Sequence, residues 1–341
     1  MAGVESFRWH DGERLIIFGR GSLAAAGETL GAGYALLTTA RAARVAPAIV
    51  AAAGSVHEVG PGRVDELAAE LRGAVEGELL VALGGGRVVD TAKALAAAGW
   101  AGSDRVAAIP TTLSGAEMTA IHRHAAGVDP STPRVRPAIV INDPELSASQ
   151  PRGELAQSAA NALAHAAEGP LTPLRNPVAT RAAWEASRLI AGAFPPGALV
   201  DAPGGPDADT QDALALGALL AGYVICSTGY GLHHVLAQTL VRFAGLPHGE
   251  ANSIMLPHSL GALAQRSPER IAELGAALGE DPARFAARLC EVAGRTRLSE
   301  AGIGSAALDE CAEQAAQRPE LAMTPPPATR RELRALYEAA L

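Results

Sequence analysis

Four of the nine histidines fall between Gly231 and Leu260, in the stretch GLHHVLAQTLVRFAGLPHGEANSIMLPHSL. Its first part, HHVLAQTLVRF, has helical apolar spacing. Neighbours on a helix point about 100° apart, so only one of His233 and His234 can face a given site. The pattern breaks at Ala244-Gly245-Leu246-Pro247, and His248 follows just beyond the turn, with Gly249, Glu250 and Asn252 behind it. A chain that leaves and returns with histidine at both ends can converge two imidazoles on one point. Upstream, SAANALAHAAEG sets Asn161 and His165 one helical turn apart on one face. Asn161, His165, His234 and His248 therefore make a candidate catalytic pocket, with His234 and His248 foremost. These are ligand types that transition metals take, and imidazoles also exchange protons near neutral pH. Any one histidine in an alanine-rich helix reads as readily as a core residue with one hydrogen bond; the set points to chemistry.

A second group lies earlier. In VALGGGRVVDTAK an apolar strand runs into Gly84-Gly85-Gly86 and then a helix carrying Asp90 and Lys93. Glycines let backbone amides approach a phosphate, and a helix N-terminus adds its positive dipole end. The pattern is neither G-x-G-x-x-G nor a P-loop, and alone it is equally a tight turn. A second strand end, AAIPTTLSGAE, offers the hydroxyls of Thr111, Thr112 and Ser114. Ligands of open parallel sheets collect at the carboxyl ends of strands, so two such turns point to a dinucleotide.

The elements that must position these groups divide into two sets. Up to about residue 150, β-like runs alternate with alanine-rich helical ones, the signature of a parallel sheet wound with helices. Strands are expected at Arg14–Phe18, Tyr34–Thr38, Ser55–Val59, Leu79–Leu83, Arg105–Ile109 and Ala138–Ile141. From Pro151 the β-like runs stop, and Glu154–Glu168, Pro177–Phe194, Thr210–Cys226 and Gly231–Phe243 read as helices. The expected organisation is an α/β dinucleotide-binding domain over 1–150 and an all-α substrate and catalytic domain over 151–341. The Pro- and Gly-rich stretch from Pro195 is expected as a loop, and Thr329 as the cap of a last helix after Pro325–Pro327.

Composition excludes several classes. A net charge of −8 lacks the basic face that nucleic acid requires. The longest apolar run, Ala213 to Cys226, is shorter than the roughly 20 residues that span a bilayer and is expected as a buried helix. Cys226, Cys290 and Cys311 are odd in number and widely spaced, as free thiols of a reducing compartment are, and no secretory leader is apparent. A cytoplasmic protein without nucleic-acid or membrane partners is expected.

The motifs GGG-x3-D-x2-K, IPTT-x2-G-x-E, N-x3-H and H-x13-H ending in PHG resemble, in order and spacing, the iron-containing alcohol dehydrogenase superfamily, which includes glycerol dehydrogenase and dehydroquinate synthase. FGRGS, SGAEMT, NDPEL at Asn142–Leu146, NALAHAAE, Asn176-Pro177, GLHH and PH-x-E at Pro247–Glu250 bring the chain closest to the maleylacetate reductases. The resemblance implies a Rossmann-like domain plus a helical domain, with a nicotinamide dinucleotide in the cleft between them, and a homodimer. Gly85 and Gly86 would lie at the pyrophosphate and Thr111 and Thr112 near the adenosine part, with Asp90 and Lys93 as further cofactor-binding candidates on the same helix. After Leu37 the chain reads Thr38, Thr39, Ala40, Arg41, with no carboxylate to repel a 2′-phosphate, so NADH and NADPH are both admitted.

Departures from the family are equally informative. Metal-dependent members place an aspartate where this chain has Asn161, and a neutral amide is a poor substitute on a divalent cation. His165, His234 and His248 would have to hold zinc or iron unaided; the reductases with asparagine here are thought to work without metal. Gln238 stands where histidine is frequent, Arg87 where the phosphate loop usually has serine, and Val235 where the reductases have lysine.

The expected activity is an NAD(P)H-dependent reductase similar to maleylacetate reductase, acting on a small oxo-acid or enone (maleylacetate to 3-oxoadipate) without an obligatory metal. Hydride added β to a carbonyl makes an enolate, which His165, His234 and His248 could stabilise and protonate. Arg242, Arg87 and His122 are candidate partners for substrate carboxylates. His122 and His124 alternate on what reads as a strand. Glu117 and Glu250 are candidates to orient a histidine or bind ribose, Glu250 lying beside the substrate. The rivals are a metal-dependent alcohol or polyol dehydrogenase and a nucleotide-binding relative without catalysis.

Overall fold

The computed structural model describes residues 3–100, 105–147, 150–195 and 206–341. The chain divides into two compact units, Met1–Gln150 and Pro151–Leu341.

The first unit is built on a seven-stranded sheet: β1 (Phe7–Asp11), β2 (Arg14–Phe18), β3 (Ala35–Thr38), β4 (Ser55–Glu58), β5 (Leu80–Gly84), β6 (Val106–Pro110) and β7 (Ile139–Asn142), in the order β1-β2-β7-β6-β5-β3-β4. All neighbours pair parallel except β1 with β2. The parallel strands are short runs of Val, Ile, Leu and Ala because helices cover both faces. Leu80 and Ala82 pack with Val89 and Ala92 of α5 (Gly86–Ala97) and with α4 (Val64–Leu71), whereas Val81 and Leu83 join the opposite layer. That layer is α1 (Ala26–Leu30), α2 (Ala40–Val45) and α3 (Pro47–Ala52), and a short α6 (Pro144–Ser147) follows β7.

Strand β1 goes beyond the sequence reading. Asp11 pairs with Arg14 across the two-residue turn Gly12-Glu13, with Gly12 at φ 64°. A glycine in the first of two loop positions matches the right-handed strand twist. The expected strand through His122 and His124 is absent among the described residues; 119–138 is irregular chain.

The topology locates a ligand position. The connection after β3 leads outward to β4, and the one after β5 leads the other way to β6. Adjacent strands whose connections diverge create the crevice where open sheets bind ligands, here at the carboxyl ends Thr38 and Gly84.

The second unit is helical among its described residues: α7 (Arg152–Glu168), α8 (Pro177–Ala193), α9 (Ala208–Thr228), α10 (Leu232–Phe243), α11 (His248–Arg266), α12 (Pro268–Leu278), α13 (Pro282–Ala293), α14 (Ser305–Ala316) and α15 (Arg330–Ala339). Helix α7 is the hub, packing on α8, α9, α11 and α13. Its alanines admit these close neighbours. Helix α9 corrects the estimate made from its apolar run: Asp207 caps it through the Thr210 amide, and it is long and apolar enough to cross a bilayer. It packs instead on α7 and α8 as a core helix. Residues 196–205 of the expected Pro195 loop lie outside the described residues. Thr329 caps α15 by accepting from the Glu332 amide.

Candidate active site

In the first unit the two polar turns form one ledge. The Thr111 amide donates to the Gly84 carbonyl at 3.0 Å, fastening the end of β6 to the end of β5. A Cβ on Gly85 would meet Thr112 Cγ2 at 2.9 Å, and one on Gly86 the Ser114 side chain at 3.1 Å. The glycines are thus what lets the Thr111–Ser114 turn close over the start of α5. No side chain caps that helix, so its first-turn amides keep their capacity for an anion. Gly84, Gly85 and Gly86 thus lie against Thr111, Thr112 and Ser114 at one uncapped helix start.

Three residues assigned there by sequence do other work. Lys93 is fully buried, ion-paired with Asp90 at 2.7 Å, and donates to the carbonyls of Ala116, Thr119 and Ile121. Lys93 therefore pins the 116–121 loop rather than reaching a cofactor, and Asp90 is its ion-pair partner. Thr38 is buried with its hydroxyl turned onto the Thr39 carbonyl, leaving its backbone at the crevice. His122 is also spoken for. Its Nδ1 meets the Arg123 carbonyl and its Nε2 accepts from the Val135 amide, so it is not a substrate ligand. Burial pushes His122 down to about 4. Glu117 is buried with Asn142 on one oxygen, and burial raises it to about 7.

In the second unit α7 and α10 bring three of the predicted residues together. Asn161 and His165 share a face of α7, both buried. The His165 ring stacks on that of His234, centroids 4.8 Å apart at 21°. His233 points away: its nitrogens meet Ser259 Oγ and Asn252 Oδ1 of α11, which makes it a satisfied core histidine of α10. His234 Nδ1 lies 2.5 Å from Glu168 Oε2, and its Nε2 is buried with no hydrogen-bond partner among the described residues. His165 Nδ1 is in the same condition. Burial, reinforced by His248, lowers His234 to about 3. It holds His165 well below the usual range too, with His234 and then His248 adding to the effect. Both imidazoles are neutral at pH 7.

The other assignments divide, with His248 close enough to act on both imidazoles and Glu250 and Arg242 engaged elsewhere or farther off. His248 is the first residue of α11 and is exposed. Glu250 is engaged by Arg295 at 2.8 Å. Arg242 is exposed in the last turn of α10, about 12 Å along the axis from His234 at 1.5 Å per residue, too far to share its pocket. Among the described residues no group of three or more His, Cys, Asp or Glu is arranged to hold a metal ion. With an amide at Asn161 and His248 at the surface, the donor set does not fit a zinc or iron centre.

Two features escaped the sequence reading. Glu168, one turn after His165 inside NALAHAAE, accepts from the backbone amides of His233 at 2.6 Å and His234 at 3.3 Å besides His234 Nδ1. It closes the otherwise uncapped start of α10. Arg318 donates to Gln238, one turn beyond His234, and to Tyr230 and Glu320. The Tyr230 ring lies 5.5 Å from that of His234. Arg318 Nη1 is buried without a hydrogen-bond partner among the described residues. Burial would raise Glu320, but the Arg318 guanidinium holds it down to about 2.

Comparison with known proteins gives this geometry a family. Residues 155–341 match the model of the Fe-containing alcohol dehydrogenase family, C-terminal. The chain is 32% identical to the maleylacetate reductase of Rhizobium sp. (strain MTP-10005), across 95% of either chain. The crystal structure of maleylacetate reductase from Agrobacterium tumefaciens superposes with a TM-score of 0.81 at 30% identity, covering 99% of this chain and 98% of that one. An iron-containing alcohol dehydrogenase from Corynebacterium glutamicum gives 0.80 at 29% identity, with 96% and 94% covered. The chain belongs to the Fe-containing alcohol dehydrogenase family and is an oxidoreductase.

Proposed function

We propose that the chain is an NAD(P)H-dependent reductase of the maleylacetate reductase type, converting maleylacetate or a similar small oxo-acid or enone to its saturated product without an obligatory metal. The observation that carries this reading is the pocket of Asn161, His165 and His234: neutral imidazoles beside an amide, in a chain similar to maleylacetate reductases along nearly its whole length. Gly84, Gly85, Gly86, Thr111, Thr112 and Ser114 would hold the dinucleotide, which supplies the hydride when bound.

The remaining work falls to polar side chains of the second unit. Hydride arriving at the carbon β to the carbonyl sends the π pair to the carbonyl oxygen, and the enolate needs hydrogen bonds and then a proton at carbon. His165, with an open ring nitrogen beside His234, is suited to hold the oxygen. Arg318 is a better placed cation for a substrate carboxylate than Arg242 or His122, since it binds Gln238, one helical turn beyond His234, and its buried Nη1 has no hydrogen-bond partner among the described residues. A metal-dependent dehydrogenase would instead need His165, His234 and His248 to converge as ligands. Oxidation of NADH and NADPH, followed by absorbance with maleylacetate as substrate, tests the reading. Saturable turnover is expected, and its absence with both cofactors overturns the substrate assignment.

A further inference from the structure

We infer that Glu168 is a positioning residue that fixes the tautomer of His234, so that His234 presents a bare Nε2 and acts in the site as a hydrogen-bond acceptor. The inference rests on the reading of the His165–His234 pocket as the reductase site, and on hydrogen-bond directions that leave little freedom.

Both oxygens of Glu168 face backbone N–H groups that can only donate: the His233 amide at 2.6 Å on Oε1 and the His234 amide at 3.3 Å on Oε2. Burial pushes the Glu168 carboxyl up, and the backbone amides of His233 and His234 and the positive end of the α10 dipole oppose that shift, so we take it as a carboxylate that accepts at the start of α10. The group that meets Oε2 from the side chain, His234 Nδ1, completes the set as a donor at 2.5 Å. A neutral imidazole has one N–H. With the proton on Nδ1, the lone pair is on Nε2, and Nε2 is the buried atom that has no hydrogen-bond partner among the described residues. His233, the adjacent residue, shows the contrast: its two nitrogens are absorbed by Ser259 and Asn252, and Glu168 touches only its backbone. One carboxylate thus separates a structural histidine from a functional one.

The consequence for the reaction is directional. His234 receives a hydrogen bond, from a water or from a hydroxyl of the substrate, and the group that holds the enolate oxygen is a different one, with His165 the nearest imidazole. Glutamine at position 168 would reverse this. Its carbonyl must stay on the His233 amide, the shorter of the two backbone contacts, which turns the NH2 toward Nδ1 and moves the ring proton to Nε2.

The test uses the full-length enzyme labelled with 15N-histidine at pH 7.5, the His234 signals being assigned by their loss in His234→Gln. The account expects a protonated Nδ1 and a pyridine-like Nε2 on His234, exchanged in Glu168→Gln. It also expects kcat of Glu168→Gln to fall tenfold or more, with KM for cofactor and substrate changed less than threefold, and Glu168→Asp to recover part of the loss with the wild-type tautomer. A protonated Nε2 in the wild type overturns the inference, as does a Glu168→Gln enzyme with unaltered tautomer and kcat. The tautomer is read on the resting enzyme, so a wrong substrate assignment would abolish turnover and leave this result standing.

Discussion

The ledge at the head of α5 and the histidine pocket between α7 and α10 are made from different material. The ledge is main chain: Gly84–Gly86 contribute amides and the absence of Cβ atoms, and Thr112 and Ser114 close against them. The pocket is side chain: two stacked imidazoles, an amide and a carboxylate that dictates where one proton sits. A site made of backbone is broken by bulk. One made of ionisable side chains is broken by changing a proton or a charge and tolerates modest changes of size. Substitutions should therefore separate binding from chemistry within one chain.

The largest effect belongs to the pocket. His234→Ala should lower kcat by about 10²–10⁴, the usual contribution of a proton-handling group, while the dissociation constant of the dinucleotide, measured by fluorescence titration, stays unchanged. Equal loss of both would erase the contrast. Next comes the ledge: Gly85→Val should abolish dinucleotide binding because its side chain would occupy the space of Thr112. Its circular dichroism should keep the native signal. Lys93→Met addresses the reassignment of Lys93 and should reduce stability by about 1–3 kcal/mol, the usual penalty for leaving buried polar groups such as the Ala116 and Thr119 carbonyls without their donor, read as a lower urea midpoint. A normal midpoint with weakened dinucleotide binding would return Lys93 to the cofactor.

Acid should act on the buried histidines and on buried Glu117 with opposite signs. His234 and His233 titrate in the folded chain at about 3 and about 4, below the ordinary histidine value. Between about 6.5 and 3 the unfolded chain binds more protons at these positions, so their contribution to stability is complete above that window and lost as pH falls through it. Glu117, raised to about 7, behaves oppositely: the folded chain holds its proton longer, and stability is lost as pH rises from about 4.5 to 7. Thermal unfolding across this range should show Glu117→Gln flattening only the upper limb. The smallest effect is expected of Arg242→Ala, exposed at the far end of α10, which should leave KM for the oxo-acid within twofold where Arg318→Ala raises it clearly.

The contrast also explains what the sequence disclosed. Parallel strands buried on both faces leave contiguous Val, Ile and Leu runs, and the glycine turn is punctuation in the chain itself, so both are local. Helical spacing set Asn161 beside His165 and separated His233 from His234 for the same reason. Strand β1 hid because FRWHD is half-exposed and polar, although Asp11-Gly12 marked its hairpin. Lys93 and His122 were misassigned because their partners, the 116–121 carbonyls and the Val135 amide, are main-chain groups with no sequence signature. Glu168 meets α10 across 65 positions and Arg318 meets Gln238 across 80, and helical periodicity carries no information at such range. Only the packing of α7 and α10 reveals that the carboxylate beside His165 belongs to His234.

The most direct measurement of the central claim is the rate of NADH and NADPH oxidation with maleylacetate before and after exhaustive chelation of the purified enzyme. Two neutral imidazoles, an amide and a positioning carboxylate should sustain turnover unchanged after chelation. Loss of turnover that zinc or iron restores would contradict the account, showing that His165, His234 and His248 close on a metal.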